Sequence, residues 1–127
     1  MSASVVSDMA RVVFLNALPL NAIQYEKFTI WCSKWTFELM ISEFKEIYKN
    51  KYEVLCFIRH PATIKVLNEI LKEVNITLTP SSELYIHKDF DIIYIVTLKK
   101  VERGKEVTEL SKDDLEIYQI TVMRGLW

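Results

Sequence analysis

A single histidine stands where a strand-like run of residues gives way to a helix-like run. Residues 55–63 read Leu-Cys-Phe-Ile-Arg-His-Pro-Ala-Thr, so His60 is followed directly by Pro61. Proline restricts the preceding residue to extended backbone and suits the first position of a helix. We therefore expect the imidazole of His60 beside the unpaired N–H groups of a helix N-terminus, where an anion can dock.

Hydrophobic periodicity predicts the elements that position this junction. Runs rich in β-branched and aromatic residues predict strands at residues 11–15, 27–32, 52–58, 83–87, 91–99 and 118–123. Apolar residues at helical spacing predict amphipathic helices at 36–50 and from Pro61 onward. The run at 91–99 is almost continuously apolar, as in a central strand, and Ser111 with Asp114 is typical of a capping pair.

These elements predict an α/β fold with one domain at residues 11–127, in which a mixed sheet of about five strands has flanking helices. Residues 1–10 are read as a disordered lead-in. The 127 residues carry a net charge of -1, which argues against binding duplex nucleic acid. The chain shows neither a membrane-length apolar run nor a secretory signal, so a cytoplasmic location without membrane contact is expected.

The cysteines and the second histidine predict no metal centre. Cys32 and Cys56 are too far apart for a zinc ribbon and are predicted to be buried free thiols, with a disulfide as the alternative. His87 falls in a predicted strand without a partner at ligand spacing. We expect neither a metal nor a cofactor.

Three short motifs, at residues 15–21, 58–63 and 99–104, resemble in order and spacing those of a conserved family of crenarchaeal-virus proteins. Members of that family are anti-CRISPR ring nucleases, which degrade the cyclic tetra-adenylate messenger of type III CRISPR defence. The resemblance covers roughly residues 11–123. It implies a viral protein that suppresses this signal in the cytoplasm of its host.

The first motif of the family reads Asn-Ala-Phe-Ser-x-Asn. Asn16, Ala17 and Asn21 match it, while Leu18 and Pro19 replace the aromatic residue and the serine.

The second motif reads Gly-His-x-x-Thr and is followed by a helix carrying Leu-x-Asn. His60, Thr63, Leu67 and Asn68 match, and Arg59 stands where glycine is usual.

The third motif is a turn that reads Arg-x-x-Glu-Gly. Gly104 matches its glycine, but Arg103 precedes that glycine and Glu102 lies one place earlier. Lys100, or Lys99 after a slip of one residue, falls where the family has its catalytic arginine.

The resemblance implies a metal-independent reaction in which a ribose 2′-hydroxyl attacks the adjacent phosphorus and a histidine protonates the departing 5′-oxygen. An imidazole suits this task because both of its protonation states are accessible near neutral pH. The residues implied are, for catalysis, His60, Lys100 and Glu102 and, for ligand binding, Asn16, Asn21, Arg59, Thr63, Lys99 and Arg103.

A homodimer is also expected, because a four-fold ring is compatible with a two-fold axis that presents two copies of His60. The substitutions at Pro19, Arg103 and Glu83, where the family has a ligand-binding arginine, keep an alternative open. In it the chain is an inactive family member that sequesters the cyclic nucleotide or binds a partner such as a host CRISPR protein. Candidate anchors for such a partner are Trp31, Trp35 and the Leu126-Trp127 end.

Several of these site residues have a structural interpretation as well. His60 can be a capping residue, the Lys99-Lys100 pair can be the solvated end of a strand, and Asn16 and Asn21 can be loop formers.

Overall fold

The structure is a computed structural model that describes residues 10–48, 51–99 and 110–125. Its five strands are β1 (Arg11–Leu15), β2 (Phe28–Trp35), β3 (Glu53–Cys56), β4 (Ile92–Leu98) and β5 (Leu115–Arg124). Its helices are α1 (Phe37–Glu43), which continues as a π-helical turn at Phe44–Tyr48, and α2 (Pro61–Leu71). Short 3₁₀ turns lie at Leu20–Ala22, Lys72–Val74 and Lys112–Asp114.

The five strands form one mixed sheet in the order β2-β5-β4-β1-β3. β1 pairs in parallel with β3 and β4, whereas β5 runs antiparallel to β4 and β2. β1, β2, β3 and β4 therefore point the same way, and we call the side where they finish the carboxyl end of the sheet and the opposite side the amino end. The predicted α/β fold is confirmed, with β4 as the central strand.

The main core lies between the two helices and one face of the sheet. The hydroxyl of Thr36 accepts a hydrogen bond from the Leu39 N–H at 3.1 Å and so caps the start of α1. Apolar residues at helical spacing form one face of α1 and one face of α2, and these faces pack against the sheet. The fully buried side chains of this core include Phe14, Met40, Ile58, Leu67, Leu71 and Tyr94.

The second face of the sheet is covered by connecting segments instead of helices. Tyr85 and Ala22, from the segments after α2 and β1, are buried against it. The strand residues that form this smaller core are Val13, Leu15, Ile93, Ile95 and Ile120.

The prediction of a strand at residues 83–87 is wrong. This segment alternates as a strand would, because Leu84 is 87% and Ile86 52% exposed while Tyr85 and His87 are buried. However, it lies across the second face of the sheet and forms no ladder. An alternating sequence pattern shows only that every second side chain is buried. An extended segment that packs over the face of a sheet has this pattern, and so does a strand that pairs within the sheet.

The prediction for Cys32 is also wrong. Strand β2 is longer than expected and lies at the border of the sheet, so Cys32 is exposed. Cys56, at the end of β3, is buried as predicted, and burial raises the pKa of its thiol. Both cysteines are free thiols, so the disulfide alternative is not formed.

Three predicted features lie outside the described residues: the lead-in at residues 1–10, apart from Ala10, the turn at 101–104, and the Leu126-Trp127 end. For the helix predicted at residues 36–50, the described part ends at Tyr48. In the described segments, no helix has the length and hydrophobicity of a transmembrane span.

Candidate functional site

Three residues singled out from the sequence follow strands that finish at the carboxyl end of the sheet. Asn16 comes directly after β1, Lys99 directly after β4, and His60 four residues after β3. The Phe57 N–H donates to the Phe14 carbonyl at 2.9 Å, so the chain that leaves β3 is still held beside β1. Parallel pairing therefore places these three residues at one end of the molecule.

His60 is the N-cap residue of α2. Its backbone is extended, with φ -69° and ψ 112°, and Pro61 is the first helical residue, as the sequence predicts. The His60 carbonyl accepts the first helical hydrogen bond, from the Ile64 N–H at 3.1 Å. The imidazole does not cap the helix itself and is exposed, so it is accessible to a ligand.

Thr63 holds the imidazole of His60 in place. The Nδ1 atom lies 2.9 Å from the Thr63 hydroxyl oxygen, and Thr63 is 5% exposed. The hydroxyl can accept from a protonated Nδ1 or donate to an unprotonated one, so it can orient the ring in either protonation state. Nε2 has no hydrogen-bond partner among the described residues. The ring is thus anchored on one nitrogen and open on the other.

The surroundings of His60 favour an anion. The N–H groups of Ala62 and Thr63 belong to the first turn of an eleven-residue helix, where backbone donors lack helical partners. Arg59 is exposed directly before His60. A phosphate placed here would meet backbone donors and a guanidinium together.

Asn68, which matches the family motif, has a structural task. Its amide nitrogen donates to the Leu78 carbonyl at 3.3 Å, and its amide oxygen accepts from the Leu78 N–H at 2.7 Å. This pair fixes the segment after α2 against the helix. Next to it, Pro80 forms a bridge with Cys56, and the Ser81 N–H donates to the Cys56 carbonyl at 2.8 Å.

The structure separates Asn21 from Asn16. Asn16 is exposed at the carboxyl end of the sheet, whereas Asn21 lies in the 3₁₀ turn Leu20–Ala22. The Ala22 carbonyl accepts from the His87 N–H at 3.0 Å. Asn21 is therefore grouped with the segment that leads to the amino end, and no contact joins it to His60 among the described residues.

Lys99 lies beside a groove on the side of the carboxyl end away from His60. Its N–H donates to the Asp114 carbonyl at 2.8 Å. The groove has a volume of about 290 Å³, and its lining includes Lys34, Thr36 and Lys112. Lys100, Glu102 and Arg103 lie outside the described residues, and Glu83 is exposed.

Two larger cavities flank the helices. One, of about 400 Å³, lies between α1 and α2, and the other, of about 500 Å³, lies between the π-helical turn and β3. His60 lines none of the three cavities. Its side chain is exposed beyond the ends of the parallel strands in the described part of the chain.

Sequence reasoning missed a buried polar network at the amino end. The Arg11 guanidinium donates to both oxygens of Asp91, from Nε at 2.9 Å and from the NH2 nitrogen at 2.6 Å. The Tyr85 hydroxyl donates to the same carboxylate at 2.8 Å, and the Lys88 N–H at 3.0 Å. The side chain of Asp91 is 1% exposed and that of Arg11 12%. The sequence does contain a pattern that could have predicted this ion pair. Arg11 and Asp91 have opposite charges and stand at the starts of two strands that pair in parallel.

His87 belongs to this network. Its Nδ1 lies 2.9 Å from the Tyr85 hydroxyl oxygen and 3.8 Å from an Asp91 oxygen. Because the single Tyr85 proton is given to Asp91, Nδ1–H donates to Tyr85 and the lone pair is on Nε2. That nitrogen is buried and has no hydrogen-bond partner. Burial lowers the pKa of His87 although Asp91 opposes the shift, so the ring stays neutral.

No group of three or more His, Cys, Asp or Glu side chains within the described ranges is arranged to hold a metal ion. What the geometry defines is a five-stranded mixed α/β domain with one accessible histidine at the carboxyl end of its sheet.

Comparisons with known proteins add one finding. No protein-family model matches the chain, and no curated protein matches it. Among solved structures, B116 of Sulfolobus turreted icosahedral virus superposes with a TM-score of 0.59, covering 87% of this chain and 97% of the viral protein. At 17% identity this likeness shows a shared fold. The neighbour is a Sulfolobus virus protein, which agrees with the resemblance drawn from the short motifs.

Proposed function

We propose that the carboxyl end of the sheet binds cyclic tetra-adenylate and opens one of its phosphodiesters without a metal. The observation that carries the proposal is the state of His60: exposed, anchored through Nδ1 to Thr63, and free at Nε2 beside the first turn of α2. A general acid needs such an accessible and oriented proton. In its host, a viral protein with this activity would silence the type III CRISPR signal.

With His60 as the acid, every bond and proton in the reaction is accounted for. The ribose 2′-hydroxyl oxygen forms a bond to the adjacent phosphorus as the bond from phosphorus to the 5′-oxygen breaks. Nε2–H of the His60 imidazolium gives its proton to the departing 5′-oxygen, and the 2′-hydroxyl proton passes to water. The product is a linear oligoadenylate with a 2′,3′-cyclic phosphate and a 5′-hydroxyl.

Other residues are assigned supporting roles. Arg59 and the first N–H groups of α2 would hold the phosphate, Asn16 would bind sugar or base, and Lys99 would contribute positive charge from the end of β4. Lys100 and Glu102 remain proposed catalytic residues, with Arg103 and Asn21 as proposed ligand contacts. A homodimer would present two copies of the site to one ring.

The test is incubation of purified protein with cyclic tetra-adenylate in EDTA, with products separated by chromatography. The wild-type chain should yield the 2′,3′-cyclic phosphate, and His60→Ala should lower the rate about 10²–10⁴-fold, the range for loss of a general acid. His87→Gln, at the other end of the sheet, is the matched control and should cleave normally. Equal rates for wild type and His60→Ala would refute the assignment.

A second candidate function is protein binding without catalysis. Large apolar side chains are exposed on the described surface: Leu84 is 87%, Phe90 85% and Trp31 62% exposed. Such residues anchor protein partners. Tight binding of the cyclic nucleotide without product would favour a sequestering protein, whereas absence of both binding and product would favour a protein partner such as a host CRISPR component.

A further inference from the structure

Strand β3 forms one border of the sheet and lines the cavity of about 500 Å³ beside the π-helical turn. The N–H groups of Glu53 and Phe57 both donate to carbonyls on the β1 side, at 2.9 Å. Backbone groups along a strand point alternately to its two sides, so those of Val54 and Cys56 point away from β1. β3 therefore presents the N–H and carbonyl groups of these two residues at the border of the sheet.

The chain covers this border at Cys56 and leaves it open at Val54. The Cys56 carbonyl accepts from the Ser81 N–H at 2.8 Å. No hydrogen bond to the N–H or the carbonyl of Val54 is formed within the described residues. The segment before Ser81 is held towards α2 instead, because the side chain of Asn68 binds both backbone groups of Leu78. One donor and one acceptor, fixed side by side on Val54, are thus available to a ligand.

Aromatic and aliphatic side chains form walls of the cavity at this point. Phe44 and Tyr48 come from the π-helical turn, a feature that is frequent at functional sites. The rings of Tyr48 and Tyr52 meet edge to face, with centroids 5.0 Å apart. Val74 and Ile76 line the cavity from the segment after α2. A cavity of about 500 Å³ with such walls and a few fixed polar groups is typical of a site for a small molecule.

The charged side chains of the lining neutralise each other. Lys45 and Glu73 form an ion pair at 2.5 Å, with 54% and 59% of their side chains exposed. Asn75 is exposed and adds an uncharged amide to the lining. A ligand anion would meet the Glu73 carboxylate as well as the Lys45 ammonium, so the charge of the site favours a neutral ligand.

We propose that this cavity binds the base of an uncharged nucleoside, with the edge of the base on the N–H and carbonyl of Val54. Nucleobase edges carry a donor beside an acceptor, which complements the pair that Val54 presents. Asn68 shows the same geometry within this molecule, because its planar amide binds the N–H and carbonyl of Leu78. The ring of Tyr52 offers a surface on which any base can stack. An added peptide strand would need a longer open border than Val54 alone provides.

This site goes beyond the proposed ring cleavage and does not depend on it. Val54 lies near the start of β3, whereas His60 follows the end of that strand and lines none of the cavities. The two proposals can therefore fail separately. His60→Ala should retain nucleoside binding, and variants of the cavity should retain the rate of ring cleavage.

The first test is an NMR titration of the ¹⁵N-labelled protein with adenosine, guanosine, cytidine and uridine. At least one nucleoside should shift the N–H signals of Val54 and Asn75, with a dissociation constant of about 1 mM or lower. Its 5′-monophosphate should bind no more tightly, because the phosphate would meet Glu73. No shift with any of the four, shifts confined to the carboxyl end of the sheet, or tighter binding of the monophosphate would overturn the proposal.

The second test removes the outward donor of β3. Proline is tolerated in a border strand where its nitrogen faces away from the ladder, so Val54→Pro deletes the N–H without breaking the sheet. Val54→Ala is the matched control, because it also shortens the side chain but keeps the N–H. The variant with proline should bind the nucleoside about tenfold more weakly than the variant with alanine, as expected for one lost hydrogen bond. Equal affinities in the two folded variants would refute the contact with Val54.

A third test fills the cavity and serves also if Val54→Pro fails to fold, which circular dichroism and the melting temperature will show. Ile76→Trp places an indole in the cavity beside β3 and should abolish the nucleoside-induced shifts. Ile70→Trp makes the same change in the cavity between α1 and α2 and should leave them unchanged. Undiminished binding by folded Ile76→Trp, or an equal loss in both variants, would contradict the assignment of the site.

Discussion

The two histidines occupy opposite ends of one sheet and opposite physical situations. His60 is exposed at the carboxyl end, with one nitrogen on Thr63 and the other open. His87 is 8% exposed at the amino end, where Tyr85 and Asp91 surround Nδ1 and Nε2 is buried. The first can exchange a proton with a ligand, while the second is kept neutral by burial.

The difference shows that the role of a histidine, catalytic or structural, is assigned from its surroundings. The His60 ring is oriented by a hydrogen bond to Thr63, only three residues along the chain. Its position therefore depends on local structure alone. His87 is held by a network that joins two strands eighty residues apart through Arg11 and Asp91. Variants at the amino end should therefore change stability, and variants at the carboxyl end should change chemistry.

The largest expected effect is on stability at the amino end. Asp91→Ala would leave the largely buried Arg11 charge without its partner and should lower the free energy of unfolding by about 3–5 kcal/mol. Urea denaturation measures this. Asp113→Ala removes an exposed carboxylate and serves as the control, with a change expected within about 0.5 kcal/mol. Similar losses for the two variants would contradict the structural importance of the network.

A smaller loss of stability is expected for Asn68→Ala, which removes both bonds to Leu78 and leaves the Leu78 backbone groups unpaired. The expected cost is about 1–3 kcal/mol. Because Asn68 acts on the segment after α2, the rate of any cleavage per folded molecule should stay unchanged. A fall in that rate with unchanged stability would move Asn68 into the site.

Thr63→Val is expected to separate orientation from stability. Loss of the hydroxyl frees the His60 ring, so kcat should fall about tenfold, equivalent to about 1.4 kcal/mol, while KM is retained. Thr63→Ser keeps a hydroxyl at the same atom and should restore most of the rate. If Thr63→Val raises KM and leaves kcat unchanged, Thr63 contacts the ligand instead of positioning His60.

The smallest effect concerns the pH dependence of stability. Burial lowers the pKa of His87 in the folded protein below the value of about 6.5 for an unfolded imidazole. Between these two values the unfolded chain binds a proton that the folded chain does not, so the free energy of unfolding falls as pH falls below about 6.5. His87→Gln should flatten this part of the profile in urea denaturation series. An unchanged slope in the variant would assign the acid sensitivity to other groups.

The sequence predicted those parts of the structure that depend on local pattern. Pro61 predicted the extended backbone of His60 and the start of α2, and continuous apolar character predicted β4 as the central strand. The Arg11–Asp91 pair was missed because only the parallel register of β1 and β4 brings residues so far apart together. The exposure of Cys32 was missed because the position of a strand within a sheet is set by pairing and not by the composition of that strand.

The central claim, that His60 protonates the departing 5′-oxygen, has a direct test. Cyclic tetra-adenylate is compared with an analogue whose 5′-bridging oxygens are sulfur, since a thiolate leaves without protonation and so needs no general acid. His60→Ala should be about 10²–10⁴-fold slower than wild type on the oxygen substrate and nearly equal to wild type on the sulfur analogue. An equal loss on both substrates, or no loss on either, would contradict His60 as the acid.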